Sequence, residues 1–256
     1  MSQSMFTSHD LKDYSRSKRP VIFIDIETTG ISKQDEITEV GIYNLGEGKE
    51  WGTLVKPRSH SANSVSHITG ITDDMLKDAP HIEDAMKLVG EAISVNDRPL
   101  LIAHNGMRFD FPRLDDAFVR SGVIPSGLFD EDKIDSMNVA THVLPTSIVS
   151  AHSVVGLMRH YGIEGVQEHR ASSDCFFTSR VLDAVLDDDS GYRSSSVESV
   201  SDLIRLSQKR AYYSHAHARC RKLLKAAESA ELSFGASDAR SVKLREAYNK
   251  SLVSVL

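Results

Sequence analysis

The sequence predicts an α/β fold with a helical extension at its C-terminal end, and three observations carry the prediction. Short apolar, β-branched runs such as Val21-Ile22-Phe23-Ile24 and Leu100-Leu101-Ile102-Ala103 end in polar turns and read as buried strands. Other stretches repeat apolar residues every three or four positions, as Ile82, Ala85, Met86, Val89 and Ile93 do, and read as helices with one buried face. After residue 186 the composition changes to an acidic, serine-rich stretch and then a basic one. A chain of 256 residues suits one α/β domain with an extension, or two small domains.

Taken in order, residues 1–19 are polar and read as a flexible lead. The strand Val21 to Ile24 runs into Asp25. Two more strands, Ile37 to Leu45 and Glu50 to Val55, are joined by Gly46-Glu47-Gly48, so the first three strands predict an antiparallel meander that Pro57 ends. Thr72 before Asp73 and Asp74 reads as the N-cap of a short helix, and 82–95 as an amphipathic helix. A fourth strand, Leu100 to Ala103, precedes His104-Asn105-Gly106. A helix starts near Asp110, a fifth strand lies around Ile134, and helices cover Ser153 to Tyr161 and Ala171 to Leu186. Asp187 to Ser196 reads as a linker and 198–231 as a helix. The expected division is a lead at 1–19, a domain at 20–188, and a linker with basic extension at 189–256.

With 40% hydrophobic and 26% charged residues the chain has the make-up of a globular protein. No apolar run is long enough to span a membrane, and the first residues show no secretory signal, so a cytoplasmic location is expected. Two cysteines, Cys175 and Cys220, argue against a disulfide scaffold or a zinc-thiolate site. The net charge of −6 is unevenly spread: residues 191–256 hold 12 Lys and Arg against 6 Asp and Glu, and the acidic excess lies before them. The basic tail is either a solvated helix or an arm for phosphates.

Three short stretches carry chemistry. In Asp25-Ile26-Glu27, residues two apart on a strand share a face. Two carboxylates held together at the end of a buried strand repel unless a cation lies between them, and hard oxygen donors suit Mg²⁺ or Mn²⁺. Thr28-Thr29-Gly30 then turns tightly enough for backbone to approach a ligand. In Ala103 to Asp110, a strand again ends in a small polar turn, and Asp110 is either a ligand or a plain N-cap. In His169-Arg170-Ala171-Ser172-Ser173-Asp174, an acid sits on a largely apolar helix. His169 precedes it, with the pKa range suited to accept a proton from water, or else as a loop histidine without a role.

In this order the stretches resemble the DEDD exonuclease superfamily, in the DnaQ-like branch with a histidine in its third motif. The matching text is Phe23 to Gly30, Ala103-His104-Asn105 to Phe109-Asp110, and His169-Arg170-Ala171 to Asp174, supported by Ile37 to Gly41, Thr53 to Pro57, Ser66 to Thr72 and Ile134-Asp135-Ser136. The third motif and Ile82-Glu83-Asp84 are similar to the exonuclease X group. The resemblance covers about 20–188 and implies an RNase H-like five-stranded mixed sheet flanked by helices.

It also implies a two-metal 3′→5′ exonuclease. Asp25, Glu27, Asp110 and Asp174 would hold two Mg²⁺ or Mn²⁺, and His169 would be the general base. Thr28, Thr29, Gly30, Asn105 and Phe109 would hold the 3′-terminal nucleotide, Phe109 being equally readable as core. The implied partners are single-stranded nucleic-acid 3′ ends, DNA rather than RNA, with DNA repair as the setting and nucleoside monophosphates as products. The alternatives are a proofreading subunit of a polymerase assembly and a silent end-binding module. The tail, through Lys209, Arg210, Arg219, Arg221 and Lys222 with rings between them, is expected to contact nucleic acid, a polymerase or a second copy of the chain.

Overall fold

A computed structural model describes residues 5–32, 34–58, 65–123, 133–144, 148–149, 151–165, 170–189, 197–208, 238 and 242–243. The chain divides into two units, Met1–Ser207 and Gln208–Leu256. Of the second unit only residues 208, 238 and 242–243 are described, so the architecture below is that of the first.

The meander forms as the sequence predicts. Strand β1 (Val21–Thr28) pairs antiparallel with β2 (Ile37–Asn44), which pairs antiparallel with β3 (Lys49–Leu54). On its other side β1 runs parallel to β4 (Leu100–Ala103), and β4 runs parallel to β5 (Lys133–Asp135). The sheet is therefore mixed and five-stranded, in the order β3-β2-β1-β4-β5. Strand β1 is longer than its apolar run suggests: it continues through Asp25 and Glu27 to Thr28, because β2 supplies backbone partners along its whole length.

Alternation along β1 divides the core. Ile22, Ile24 and Ile26 face one side, where α4 (Ile82–Ala92) and α5 (Asp110–Ser121) pack with Met86, Val89, Phe111 and Phe118. Val21 and Phe23 face the other, where α6 (Ser136–Val143), α7 (Val154–Tyr161) and α8 (Ala171–Leu186) pack with Val139, Leu157, Val181 and Leu182. Asp25 and Glu27 continue the second series, so the pleat directs them to the side that carries α8.

The cap read from the sequence at Thr72 forms, its hydroxyl accepting from the Met75 N–H, while Ser153, read as the first helical residue, is instead the N-cap of α7 and accepts from the Gly156 N–H. Two short helices, α2 (Ser66–Thr69) and α3 (Asp73–Leu76), precede α4, which ends at Ala92 rather than at 95. A 3₁₀ turn follows at Val95–Asp97 because Ser94 and Arg98 adopt left-handed backbone.

Two expectations need correction. The lead is not flexible throughout: α1 (Ser8–Ser17) opens on a capping box between Thr7 and Asp10 and buries Leu11 in the core. Asp187, placed by the sequence in a linker, accepts from the Ser8 N–H and hydroxyl at 2.8 and 2.6 Å, and Asp188 accepts from the Tyr161 hydroxyl at 2.7 Å. Residues 200–208 are helical, and Val197, Val200, Leu203 and Leu206 join the core of the first unit, so the opening of the presumed extension packs as part of that unit. Residues 190–196 of the linker, and the rest of the helix expected to 231, lie outside the described residues.

Candidate metal and active site

The site forms where β1 passes beneath the start of α8. Gly41 lies opposite Asp25 in the β1–β2 pairing. A Cβ at Gly41 would come within 2.0 Å of the Ala171 carbonyl carbon and 2.1 Å of the Ser172 nitrogen. The missing side chain thus lets the first turn of α8 descend onto the sheet beside Asp25. Asp174, one turn into that helix, is buried and meets the strand carboxylates: Asp25, Glu27 and Asp174 each offer an oxygen, all within 4.8 Å of one another.

Asp110 joins from the other side. It is the first residue of α5 rather than its N-cap, which is Phe109. Its Oδ1 accepts from the backbone N–H of Ile26 at 3.2 Å, the residue between Asp25 and Glu27. The four acids predicted from sequence are therefore brought to one place, three within mutual ligand reach and the fourth bonded to the strand between two of them.

Crowding of like charge in a dry place disfavours ionisation. Burial, then the carboxylates of Asp110, Glu27 and Asp174, raise the Asp25 pKa well above its ordinary value. Glu27 is pushed up to about 8 by burial and by Asp174, Glu39 and Asp110, with Arg170 opposing. Asp110 rises to about 7, chiefly through burial, while the hydrogen bond from Ile26 holds it down. The same carboxylates raise the thiol of buried Cys175, whose main cause is again burial and whose sulfur bonds the Gly41 carbonyl at 3.2 Å. Acids this close, each offering an acceptor oxygen to a common point, fit a hard divalent cation, which would replace protons with charge of the right sign.

Two supporting acids lie in the matching stretches Ile37 to Gly41 and Ile134-Asp135-Ser136 but were given no role from the sequence. Buried Glu39, opposite Glu27 on β2, accepts from Arg170 Nη2 at 2.6 Å, from Arg170 Nε at 3.1 Å and from the Ala171 N–H at 3.0 Å. It ties down the N-terminus of α8 and the residue after His169. Buried Asp135 accepts from the N–H groups of Asn105, Met107, Met137 and Asn138, at 3.1–3.2 Å. It thereby shapes the turn that leads to Asp110. The signal for both was an acid inside an apolar strand, where only a bonded partner makes burial tolerable.

The residues expected to bind substrate line two turns. Thr28 Oγ donates to the Gly30 carbonyl at 2.5 Å, and Thr29 Oγ accepts from the Glu36 N–H at 3.1 Å, so both hydroxyls brace the turn after β1. At Gly30 a Cβ would meet Asp35 Oδ2 at 2.6 Å. Asn105 holds a left-handed backbone (φ 65°), which asparagine tolerates better than most residues. Phe109 packs partly against the core, and the Arg113 guanidinium lies 3.9 Å from the centre of its ring. His104 is committed to structure, with Nδ1 3.0 Å from Ser136 Oγ and Nε2 2.7 Å from the His152 carbonyl. His169, Lys209, Arg210, Arg219, Arg221 and Lys222 lie outside the described residues.

The family described as exonuclease, of the RNase T type, matches residues 22–182. The DNA polymerase III PolC-type protein of Staphylococcus haemolyticus is 30% identical over 184 residues, which are 69% of this chain and 12% of that much longer one. Among solved structures, exonuclease X in complex with 5′-overhanging duplex DNA aligns with a TM-score of 0.52 and 24% identity, over 72% of this chain and 99% of that one. Escherichia coli exonuclease I with a dT13 oligonucleotide aligns with a TM-score of 0.55 and 18% identity, over 80% and 45%. At these identities the two structures establish the shared RNase H-like fold.

Proposed function

The chain belongs to the DEDD exonuclease family, and from that membership we propose that it removes nucleoside monophosphates from the 3′ ends of single-stranded or frayed DNA, with RNA as a second substrate. The observation that carries the proposal is the meeting of Asp25, Glu27 and Asp174 oxygens within 4.8 Å, with Asp110 bonded to the strand between the first two.

In this reading Asp25, Glu27 and Asp174 would hold one Mg²⁺ or Mn²⁺, and Asp25 with Asp110 would serve a second. Such ions would supply activation of a water and charge to offset that on the attacking and leaving oxygens of a phosphodiester. The protein's own groups do the rest. Glu39 fixes the start of α8, so Asp174 faces β1 at a set height. Asp135 fixes the turn that presents Asn105, Phe109 and Asp110. The turn Thr28-Thr29-Gly30 offers backbone to the terminal nucleotide, and Asn105 and Phe109 close the same pocket. His169, immediately before Arg170, accepts the proton of the attacking water at its imidazole nitrogen. The basic residues Lys209, Arg210, Arg219, Arg221 and Lys222 bring the polyanion to an acidic body.

A second reading has the domain proofreading within a polymerase assembly, favoured by the 30% identity to part of a PolC-type DNA polymerase. A silent end-binding module lacks support, since all five motif positions hold the residues that catalysis needs. No described helix is long and apolar enough to cross a membrane, and the reading places the enzyme in the cytoplasm. A time course on end-labelled single-stranded DNA, duplex DNA and RNA, with Mg²⁺, Mn²⁺ or chelator, tests the function. Metal-dependent shortening from the 3′ end of DNA, faster than of RNA, is expected. Internal cuts, or no cleavage of any substrate, would refute it.

A further inference from the structure

Arg113 joins the two turns that the proposed function assigns to the 3′-terminal nucleotide, and its charge also lowers the pKa of the Asp110 carboxyl. It stands on α5, one turn after Asp110. Nη1 donates to the Phe109 carbonyl at 3.0 Å. Nη2 reaches the other turn, donating to the Ser32 carbonyl at 2.8 Å and to the Ile31 carbonyl at 3.3 Å. The guanidinium plane covers the Phe109 ring at 3.9 Å. One side chain therefore grips the segment that continues Thr28-Thr29-Gly30 and also sets the ring of Phe109.

The surroundings explain why such a grip is needed. Residues 31–32 are exposed, Ile31 to 88%. A cavity of about 410 Å³ is bordered by Gln34, Asp35 and Ile37, farther along the same connection, and by Arg113 itself. Asp35 braces the loop internally by accepting from the Ser32 N–H at 2.6 Å. Among the described residues, however, the hydrogen bonds that carry Ile31 and Ser32 to another element come from Arg113. Residues so exposed have little packing of their own to fix them. A planar fork with several donors can fix two carbonyls and an aromatic face together, whereas a lysine is a single point of charge.

We propose that Arg113 is a positioning residue that holds the turn after β1 and the Phe109 ring in the spacing that receives the terminal nucleotide. The inference rests on the reading of Thr28-Thr29-Gly30 and Phe109 as the nucleotide pocket. Because it acts on a preformed pocket, its loss is paid in binding rather than in the bond-breaking step.

The test compares the full-length parent with Arg113→Lys and Arg113→Gln. It uses a labelled single-stranded oligonucleotide and the p-nitrophenyl ester of thymidine 5′-monophosphate, with Mn²⁺ present. The expected result is a KM raised about tenfold or more for both substrates with kcat little changed, as for lost uniform binding. Arg113→Lys should recover less than half of the loss on a logarithmic scale. Affinity for thymidine 5′-monophosphate should weaken in parallel, while in Arg113→Lys, which keeps the positive charge near Asp110, the Mn²⁺ concentration for half-maximal rate stays put. An unchanged KM, or a fall in kcat alone that tracks a lowered unfolding temperature, would leave Arg113 a packing role and overturn the inference. If the parent itself cleaves neither substrate, it is the exonuclease reading that fails.

Discussion

The Asp110 carboxylate accepts a hydrogen bond from the Ile26 backbone 84 residues earlier in the chain, at 3.2 Å. This contact welds the second acidic motif to the middle of the first. It makes the relative height of Asp25, Glu27 and Asp110 a property of main-chain geometry rather than of flexible side chains. The carboxylates are held together by the fold, and the cost is a set of acids whose protons are hard to remove.

That cost gives a pH signature. Raised carboxylate pKa values mean that the folded state holds more protons than the unfolded chain between the ordinary carboxylate range and the raised values. Metal-free protein should therefore lose stability as pH rises from about 4.5 through about 8, the window set by Glu27, with Asp110 contributing up to about 7. Thermal unfolding in chelator should show the fall. Saturating Mn²⁺ should flatten it, and Glu27→Gln should reduce it in chelator. A metal-free unfolding temperature that climbs over that window would contradict the charge crowding.

The Glu39 brace predicts a different kind of loss. Glu39→Ala removes the acceptor for the Ala171 N–H and for the half-exposed guanidinium of Arg170. Denaturant unfolding should register about 1–3 kcal/mol, the range for a buried group left without its partner. Glu39→Gln, which keeps an acceptor oxygen, should lose less. Equal stability of Glu39→Ala and the parent would show that α8 is seated by Gly41 and the core alone.

His169→Ala should lower the rate by about 10²–10⁴-fold, the usual contribution of a general base. Metal affinity should be kept. The parent's rate should rise with pH through the histidine range and the variant's should not. A parent-like pH profile in His169→Ala would move the base elsewhere. His67, exposed on α2, would then come before His104, whose two nitrogens already face Ser136 and the His152 carbonyl.

The basic tail is best tested by truncation after residue 208. Removal from 191 would also take Val197, Val200, Leu203 and Leu206 out of the core. The shortened protein should fold, bind single-stranded DNA more weakly and show a flatter dependence of log affinity on log salt, because fewer counterions are released. Identical salt slopes with and without the tail would remove it from nucleic-acid binding.

How much of this was legible in the sequence follows from the range of the forces involved. The meander, the strand at Leu100–Ala103 and helices α4, α5 and α8 announce themselves through local alternation or helical spacing. The four acids are legible less directly: Asp25 ends an apolar run, Asp110 stands near a helix start and Asp174 lies on an apolar helix, each a weak local signal that only the order of the motifs in the family resemblance joins. Helix α1 was missed because its stripe is thin: Leu11 is its one fully buried apolar residue, and its place depends on Ser8 meeting Asp187, 179 positions away. Glu39, Asp135 and Arg113 were passed over because their roles are hydrogen bonds to backbone far along the chain, and no periodicity records a backbone partner. Asp110 shows both sides. Its position near a helix start was readable, but its place as the first helical residue, bonded to Ile26 on β1, was not.

The most direct test of the central claim is the product pattern from 5′-labelled single-stranded DNA incubated with Mg²⁺, for the parent and Asp174→Ala side by side. The claim predicts a ladder receding from the 3′ end with mononucleotide release in the parent, lost on adding chelator. In Asp174→Ala the ladder should be slowed by orders of magnitude while the protein remains folded. A ladder of undiminished rate in Asp174→Ala, or fragments cut from the interior of the strand, would contradict it.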